Sequence, residues 1–232
     1  MGFLRVQSLN KIYNEDKPEE VRVHALKNID LDINQGDFIV ISGPSGSGKT
    51  TFLNMVGGLD SVSSGQVFLE DVDITKLNER QLTDIRLHKM GFIFQAYNLI
   101  PVLSAMENIE YAMMLQGMPK EERREKAQKL ADHLGIGDLL NKKPNEISGG
   151  QQQRVAVARS IVSEPMLVLA DEPTANLDSE TGSRLIDLMK EMNHEKKITF
   201  IFSTHDQMVM DKAERRIVLR DGKVISDQKN NV

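Results

Sequence analysis

Nine residues, "GPSGSGKTT" at positions 43 to 51, constrain this chain more than any other stretch. They fit the pattern G-x-x-x-x-G-K-[ST], a loop whose backbone N–H groups cradle phosphates. Such a loop works only between a buried strand and a helix. The flanks meet that demand: the apolar run "DFIVIS" (37–42) leads in and the helix-like "TTFLNMVGGL" leads out. Gly43, Gly46 and Gly48 lack a Cβ, so the loop can curl, with Pro44, Ser45 and Ser47 between them, around an anion without clashes. The pattern assigns Lys49 to the β- and γ-phosphates and Thr50 to Mg²⁺. Thr51 falls at the helix N-terminus, beside the α-phosphate.

Three further apolar runs read as strands buried on both faces: "GFIFQ" (91–95), "MLVLADE" (166–172) and "ITFIFSTH" (198–205). Helical patterns lie between them, which implies an α/β fold with a largely parallel sheet. Ligands of such sheets collect at the C-terminal strand ends, and polar residues stand there. Neighbouring strand residues point to opposite faces. One carboxylate of the pair Asp171 and Glu172 is therefore expected to serve the metal and the other the attacking water. Asp171 suits the metal and Glu172 the general base. Gln95 is expected to orient water or complete the metal sphere, and His205 to contact the γ-phosphate.

The chain before the phosphate loop reads as β: "FLRVQSL", "VRVHAL" and "NIDLDI" alternate apolar residues, with "YNEDKPEE" as a charged surface loop. Residues 97 to 163 contain helix-like runs and no strand run, so a helical lobe is expected as an insertion in the α/β core. In "RRIVLRDGKVISDQ" the pair Asp221-Gly222 signals a hairpin, and the closing "QKNNV" is expected to fray. The absence of cysteine excludes disulfide and thiolate chemistry. A net charge of -5 argues against a broad basic surface, so no nucleic-acid partner is expected. No apolar run approaches the ~18 residues of a membrane span. The start has no signal-like apolar segment, and Val6 stands where myristoylation of Gly2 would want Ser or Thr. A cytosolic location is the default expectation.

"NEISGGQQQR" (145–154) adds a second anion-seeking feature. Ser148, Gly149 and Gly150 precede the helix-like "QQQRVAVARSIV", and a helix start offers unpaired N–H groups. One nucleotide bound by one domain does not need it.

Taken together, "GPSGSGKT", Gln95, "ISGGQ", "LADEP", "NLD" and "STHD" occur in the order of an ABC-type ATPase subunit, which the chain resembles over nearly its whole length. "FQAYNLIPVLSAMENIEY" and "ISGGQQQRVAVARS" are most similar to the branch that holds lipoprotein-releasing and macrolide-export subunits. Ile147 departs from the usual Leu, a change of shape and not of polarity.

The resemblance implies a P-loop NTPase core with a mainly parallel sheet and an N-terminal antiparallel β subdomain, spanning 1–96 and 164–232. It places the helical subdomain at 97–163, all within one domain of 1–232. It implies that Tyr13 stacks on adenine, that Gln95 relays the state of the γ-phosphate to the lobe, and that Asp178 signals between subunits. It also implies an ATP-dependent, head-to-tail homodimer in which Ser148, Gly149, Gly150 and Gln151 meet the ATP of the other copy. ATP and Mg²⁺ are the implied ligands. An integral membrane permease is expected to dock near residues 96–114, keeping the chain on the inner face of the cell membrane. The implied role is the ATP-hydrolysing motor for export or extraction of a hydrophobic or amphipathic substrate. A non-transport regulator of a membrane partner, of the cell-division or cell-wall type, is the alternative.

Overall fold

In the computed structural model, which describes residues 2–230, the chain opens on two long strands, β1 (Leu4–Tyr13) and β2 (Val23–Ile33). The runs "VRVHAL" and "NIDLDI" are thus parts of one strand. A bulge at Asn28, whose φ is 51°, made them look separate. The Asn10 side chain accepts the Asn28 N–H at 3.0 Å and so replaces the lost ladder bond.

Then come β3 (Phe38–Ser42), α1 (Lys49–Val56), β4 (Ser64–Leu69) and the short β5 (Val72–Asp73). Helix α2 (Glu79–Lys89) starts on a capping box formed by Asn78 and Gln81 and runs straight into β6 (Met90–Ile93). Three helices follow: α3 (Ala105–Leu115), α4 (Lys120–His133) and α5 (Gly149–Ile161). The last part alternates β7 (Leu167–Asp171), α6 (Ser179–Lys196), β8 (Thr199–Ser203) and α7 (Gln207–Lys212). It closes on the hairpin of β9 (Arg215–Arg220) and β10 (Lys223–Lys229). Asp221 and Gly222 turn it with φ of 50° and 79°, the positive values that match a two-residue hairpin turn to strand twist.

The main sheet has the order β10-β9-β3-β8-β7-β6 and is parallel apart from β10. The second sheet, β2-β1-β4-β5, is antiparallel. Alternate residues of β3 feed two different cores. Phe38 and Val40 join Phe200, Phe202, Val168 and the helices α3 to α6, while Ile39 and Ile41 join α1 and the antiparallel sheet. Both faces of the main sheet are therefore covered, which explains why its inner strands β3, β7 and β8 are almost continuously apolar.

The lobe shares the first of these cores instead of owning a separate one. Helix α5 reaches the sheet at Gly91, where a Cβ would lie 2.1 Å from the Ser160 carbonyl oxygen, so only glycine lets the two backbones approach. The expectation of a frayed "QKNNV" fails at its start. Gln228 and Lys229 pair with β9, and Asn230 donates to the Ala213 carbonyl at 2.8 Å. Residues 231 and 232 lie outside the described residues.

Candidate functional site

A cleft of about 810 Å³ opens where β1, β2, the phosphate loop and the C-terminal ends of β7 and β8 meet. Tyr13, all nine residues from Gly43 to Thr51, and the polar group Gln95, Asp171, Glu172 and His205 line it. Positions scattered over most of the chain thus converge on one volume.

The phosphate loop owes its shape to close backbone contacts. Gly48 caps α1 with φ of 103°, and a Cβ there would sit 2.6 Å from the Ala25 carbonyl oxygen of β2. The turn of the last hairpin presses on the same oxygen, since a Cβ on Gly222 would approach it to 2.7 Å. Gly222 also donates its N–H to the Ser47 carbonyl at 3.1 Å. Lys49 is buried, and its ammonium lies along the loop, 2.9 Å from the Gly43 oxygen and 3.1 Å from the Pro44 oxygen. The Ser47 hydroxyl is buried with no hydrogen-bond partner.

Thr50 Oγ1 donates to the Asp171 carboxylate, with both oxygens at 3.0 Å. This joins the first turn of α1 to the end of β7. These are hard oxygen donors, and no cluster of three or more His, Cys, Asp or Glu side chains suited to a metal occurs among the described residues. A divalent ion held here therefore draws its remaining ligands from phosphate and water, which is the habit of Mg²⁺. The residues fit that ion.

Strand alternation does not separate the two carboxylates as expected, because β7 ends at Asp171. Glu172 lies beyond it with φ of 47°, in the left-handed region. Its N–H still donates to the Ser203 carbonyl at 2.8 Å, while its side chain turns toward the loop after β8. There Thr204 Oγ1 donates to Glu172 Oε2 at 2.9 Å, and His205 Nδ1 contacts Oε1 at 2.8 Å. Such backbone conformations cluster at functional sites. Gln95 and His205 each lie two residues past their strands, on loops.

Ser148, Gly149, Gly150, Gln151 and Asp178 do not line the cleft. Ser148 caps α5 in a reciprocal box: its N–H donates to Gln151 Oε1 at 2.8 Å and its hydroxyl accepts from the Gln151 N–H at 3.4 Å. Asp178 caps α6 on the surface, where the Thr181 N–H and hydroxyl hold its carboxyl below the usual range.

Three residues that pattern reading passed over tie these parts together. Thr204 holds Glu172. Asn176 donates to the Gln95 carbonyl at 2.9 Å, and Arg159 of α5 donates to the carbonyls of Tyr97 and Asn98. Burial pulls the Arg159 guanidinium below its ordinary pKa. Thr204 sits inside "STHD" and Asn176 inside "ANLD", so position within a motif was the only signal for either.

Phosphate-seeking N–H groups and a hydroxyl–carboxylate pair facing one cleft define a P-loop triphosphatase. The helical lobe that follows Gln95, with its own capped helix start, narrows the class to ATP-binding cassettes. The chain belongs to the ABC transporter family, whose profile matches residues 26–175. It is an ATPase of that family, working on ATP with Mg²⁺.

The chain is 42% identical over 224 residues to the lipoprotein-releasing system ATP-binding protein LolD of Syntrophus aciditrophicus, covering 97% of this chain and 99% of that one. It is also 42% identical to the macrolide export ATP-binding/permease protein MacB of Aggregatibacter actinomycetemcomitans, across 100% of this chain but only 36% of that longer relative. A dimeric post-hydrolysis structure of the cassette MJ0796 bound to ADP and Pi superposes with a TM-score of 0.90 at 42% identity, covering 97% and 98% of the two chains. MJ0796 comes from Methanocaldococcus jannaschii.

Proposed function

We propose that the chain is the ATP-hydrolysing motor of a transport complex, acting as a head-to-tail dimer with two ATP molecules between its copies. The observation that carries this is the separation of two anion-binding features. The phosphate loop lines the cleft, while the Ser148–Gln151 helix start lies outside it. A second copy turned about a two-fold axis brings that helix start, with its dipole and N–H groups, to the exposed side of the nucleotide. MJ0796 is itself dimeric, which supports pairing of two copies.

In this reading Tyr13 stacks on the adenine, the loop amides and Lys49 hold the phosphates, and Thr50 and Asp171 hold Mg²⁺, with Gln95 able to complete its sphere. The ion's contribution is to neutralise charge on the phosphate oxygens. Glu172 takes the proton of the water whose oxygen bonds to the γ-phosphorus as the bond to the β–γ bridging oxygen breaks. ADP and inorganic phosphate result. His205 and Thr204 orient the Glu172 carboxylate. Loss of the γ-phosphate removes the charge contacts from Ser148, and the copies separate. Asp178, on the surface at the α6 start, signals across the interface.

The domain spans 1–232, with residues 97–163 as the subdomain that moves against the sheet. No helix among the described residues is long and apolar enough to cross a membrane. In this reading motion is passed to a membrane permease. A groove of about 390 Å³ between α2, β6, α3 and α5 suits a short amphipathic segment of it. Its lining includes Phe92, Phe94, Tyr111 and Leu115, so the docking face extends beyond residues 96–114 to α2 and β6. The chain works on the inner face of the membrane, and the likeness to LolD and MacB favours export or extraction of a hydrophobic or amphipathic substrate.

The test is Glu172→Gln. It is expected to bind ATP, to turn it over at least 100-fold more slowly, and to elute as a dimer from a sizing column run in ATP. A variant that stays monomeric at high protein and ATP concentration overturns the head-to-tail reading.

A further inference from the structure

Tyr13 closes β1 at the rim of the cleft. Two positions earlier on the same strand, Lys11 is 7% exposed, unusual for a lysine. Its ammonium donates to Asp60 Oδ1 at 3.0 Å and to the Ser61 carbonyl at 2.6 Å, both in the loop that follows α1. The same ammonium lies 4.8 Å from the centroid of the Tyr13 ring. Lys11 does not line the cleft, whereas Tyr13 does. The cation therefore occupies the inner face of the ring and leaves the other face to the ligand.

We propose that Lys11 is a positioning residue for base recognition: locked by Asp60 and Ser61, it holds the Tyr13 ring as a fixed platform for the purine of the nucleoside triphosphate. This rests on the reading of Tyr13 as the base-stacking residue. Two effects act together. The ammonium attracts the ring's π density, so the outer face meets the electron-rich purine with less repulsion. The lock also removes ring motion before binding, so less side-chain entropy is lost when the base arrives. An ion pair alone is weak evidence of a stabilising role, but here its third partner is the ring that faces the ligand. Asp60 fits the part of an anchor. Burial opposes its charge, yet the hydrogen bonds from Lys11 and the Ser61 N–H outweigh that and hold its carboxyl below the usual range.

The experiment compares dissociation constants for ATP and for inorganic tripolyphosphate, measured by calorimetry on the full chain. Lys11→Met keeps most of the side-chain volume and removes the charge. It is expected to weaken ATP roughly threefold to tenfold and to leave tripolyphosphate unchanged. Lys11→Arg recovers most of the loss, and Lys11→Met adds nothing in a Tyr13→Ala background. Asp60→Asn, which loosens the lock and keeps the cation, gives a smaller loss of the same base-dependent kind and serves if Lys11→Met does not fold. Equal weakening of ATP and tripolyphosphate, or an undiminished Lys11→Met effect without the Tyr13 ring, makes Lys11 a plain structural tie and overturns the proposal. Unchanged ATP affinity in Tyr13→Ala overturns the underlying reading of Tyr13 instead, so the two failures are distinct.

Discussion

In the proposed reading, Lys49 serves structure and chemistry in turn. Its ammonium bonds to two carbonyls of its own loop, a contact that the highly charged phosphate tail of ATP is expected to outcompete. Lys49→Ala should lower ATP turnover at least 100-fold, a size seen when a charge-stabilising donor is removed. A phosphate-release assay checks this, and full residual activity would refute the assignment. Away from the cleft, Asp73 is a residue whose charge supports the fold. Burial works against its ionised form, but hydrogen bonds from Thr75, Lys76 and Gln66 prevail and lower its pKa. A lowered folded-state pKa means that the stabilisation is complete above the unfolded value of about 3.9. It is lost as pH falls through that value toward the folded one. The urea midpoint should therefore fall as the pH is lowered below about 5, and it should fall less in Asp73→Asn.

At the scale of elements, α5 has two jobs at its two ends. Its N-terminus is a complete capping box, while its C-terminal half is buried against β6. Ser148→Arg removes the cap and puts a bulky cation where the second copy's nucleotide is expected. Turnover should fall at least tenfold, while ATP affinity of the monomer stays within about twofold, because Ser148 lies outside the cleft. Loss of monomer binding would place the Ser148 helix start in cis. The elements that pattern reading found share a trait: β3, β7 and β8 are apolar at nearly every position, and the motifs lie at their ends. The ones it did not delimit, β4, β5 and α2, are only partly buried. Not one residue of α2 is fully buried, so no apolar stripe marks it. Similarly, the contacts of Thr204, Asn176 and Arg159 join residues from 32 to 81 positions apart. Such distances leave no local periodicity to read.

For the whole molecule, the two cores sit on opposite faces of a single sheet, and the polar side chains of the cleft gather at the C-terminal ends of its strands. The convergence of the phosphate loop with the Gln95, Glu172 and His205 loops was legible because those residue types carry chemistry wherever they occur. The groove was less so, since Leu87 and Arg159 from distant helices complete it. Leu115→Glu should put a charge on that apolar face. It should leave the ATPase of the isolated chain unchanged within about twofold, because exposed substitutions rarely disturb a fold. It should also abolish co-purification with a co-expressed permease, and retained association would move the docking surface elsewhere. Finally, the tip of the closing hairpin rests on the Ala25 carbonyl that also abuts Gly48, and it bonds to the backbone of Ser47. The β9–β10 turn thus braces a phosphate loop that lies far earlier in the sequence. Anything that loosens the Asp221-Gly222 tip is therefore expected to be felt at the phosphate loop it braces.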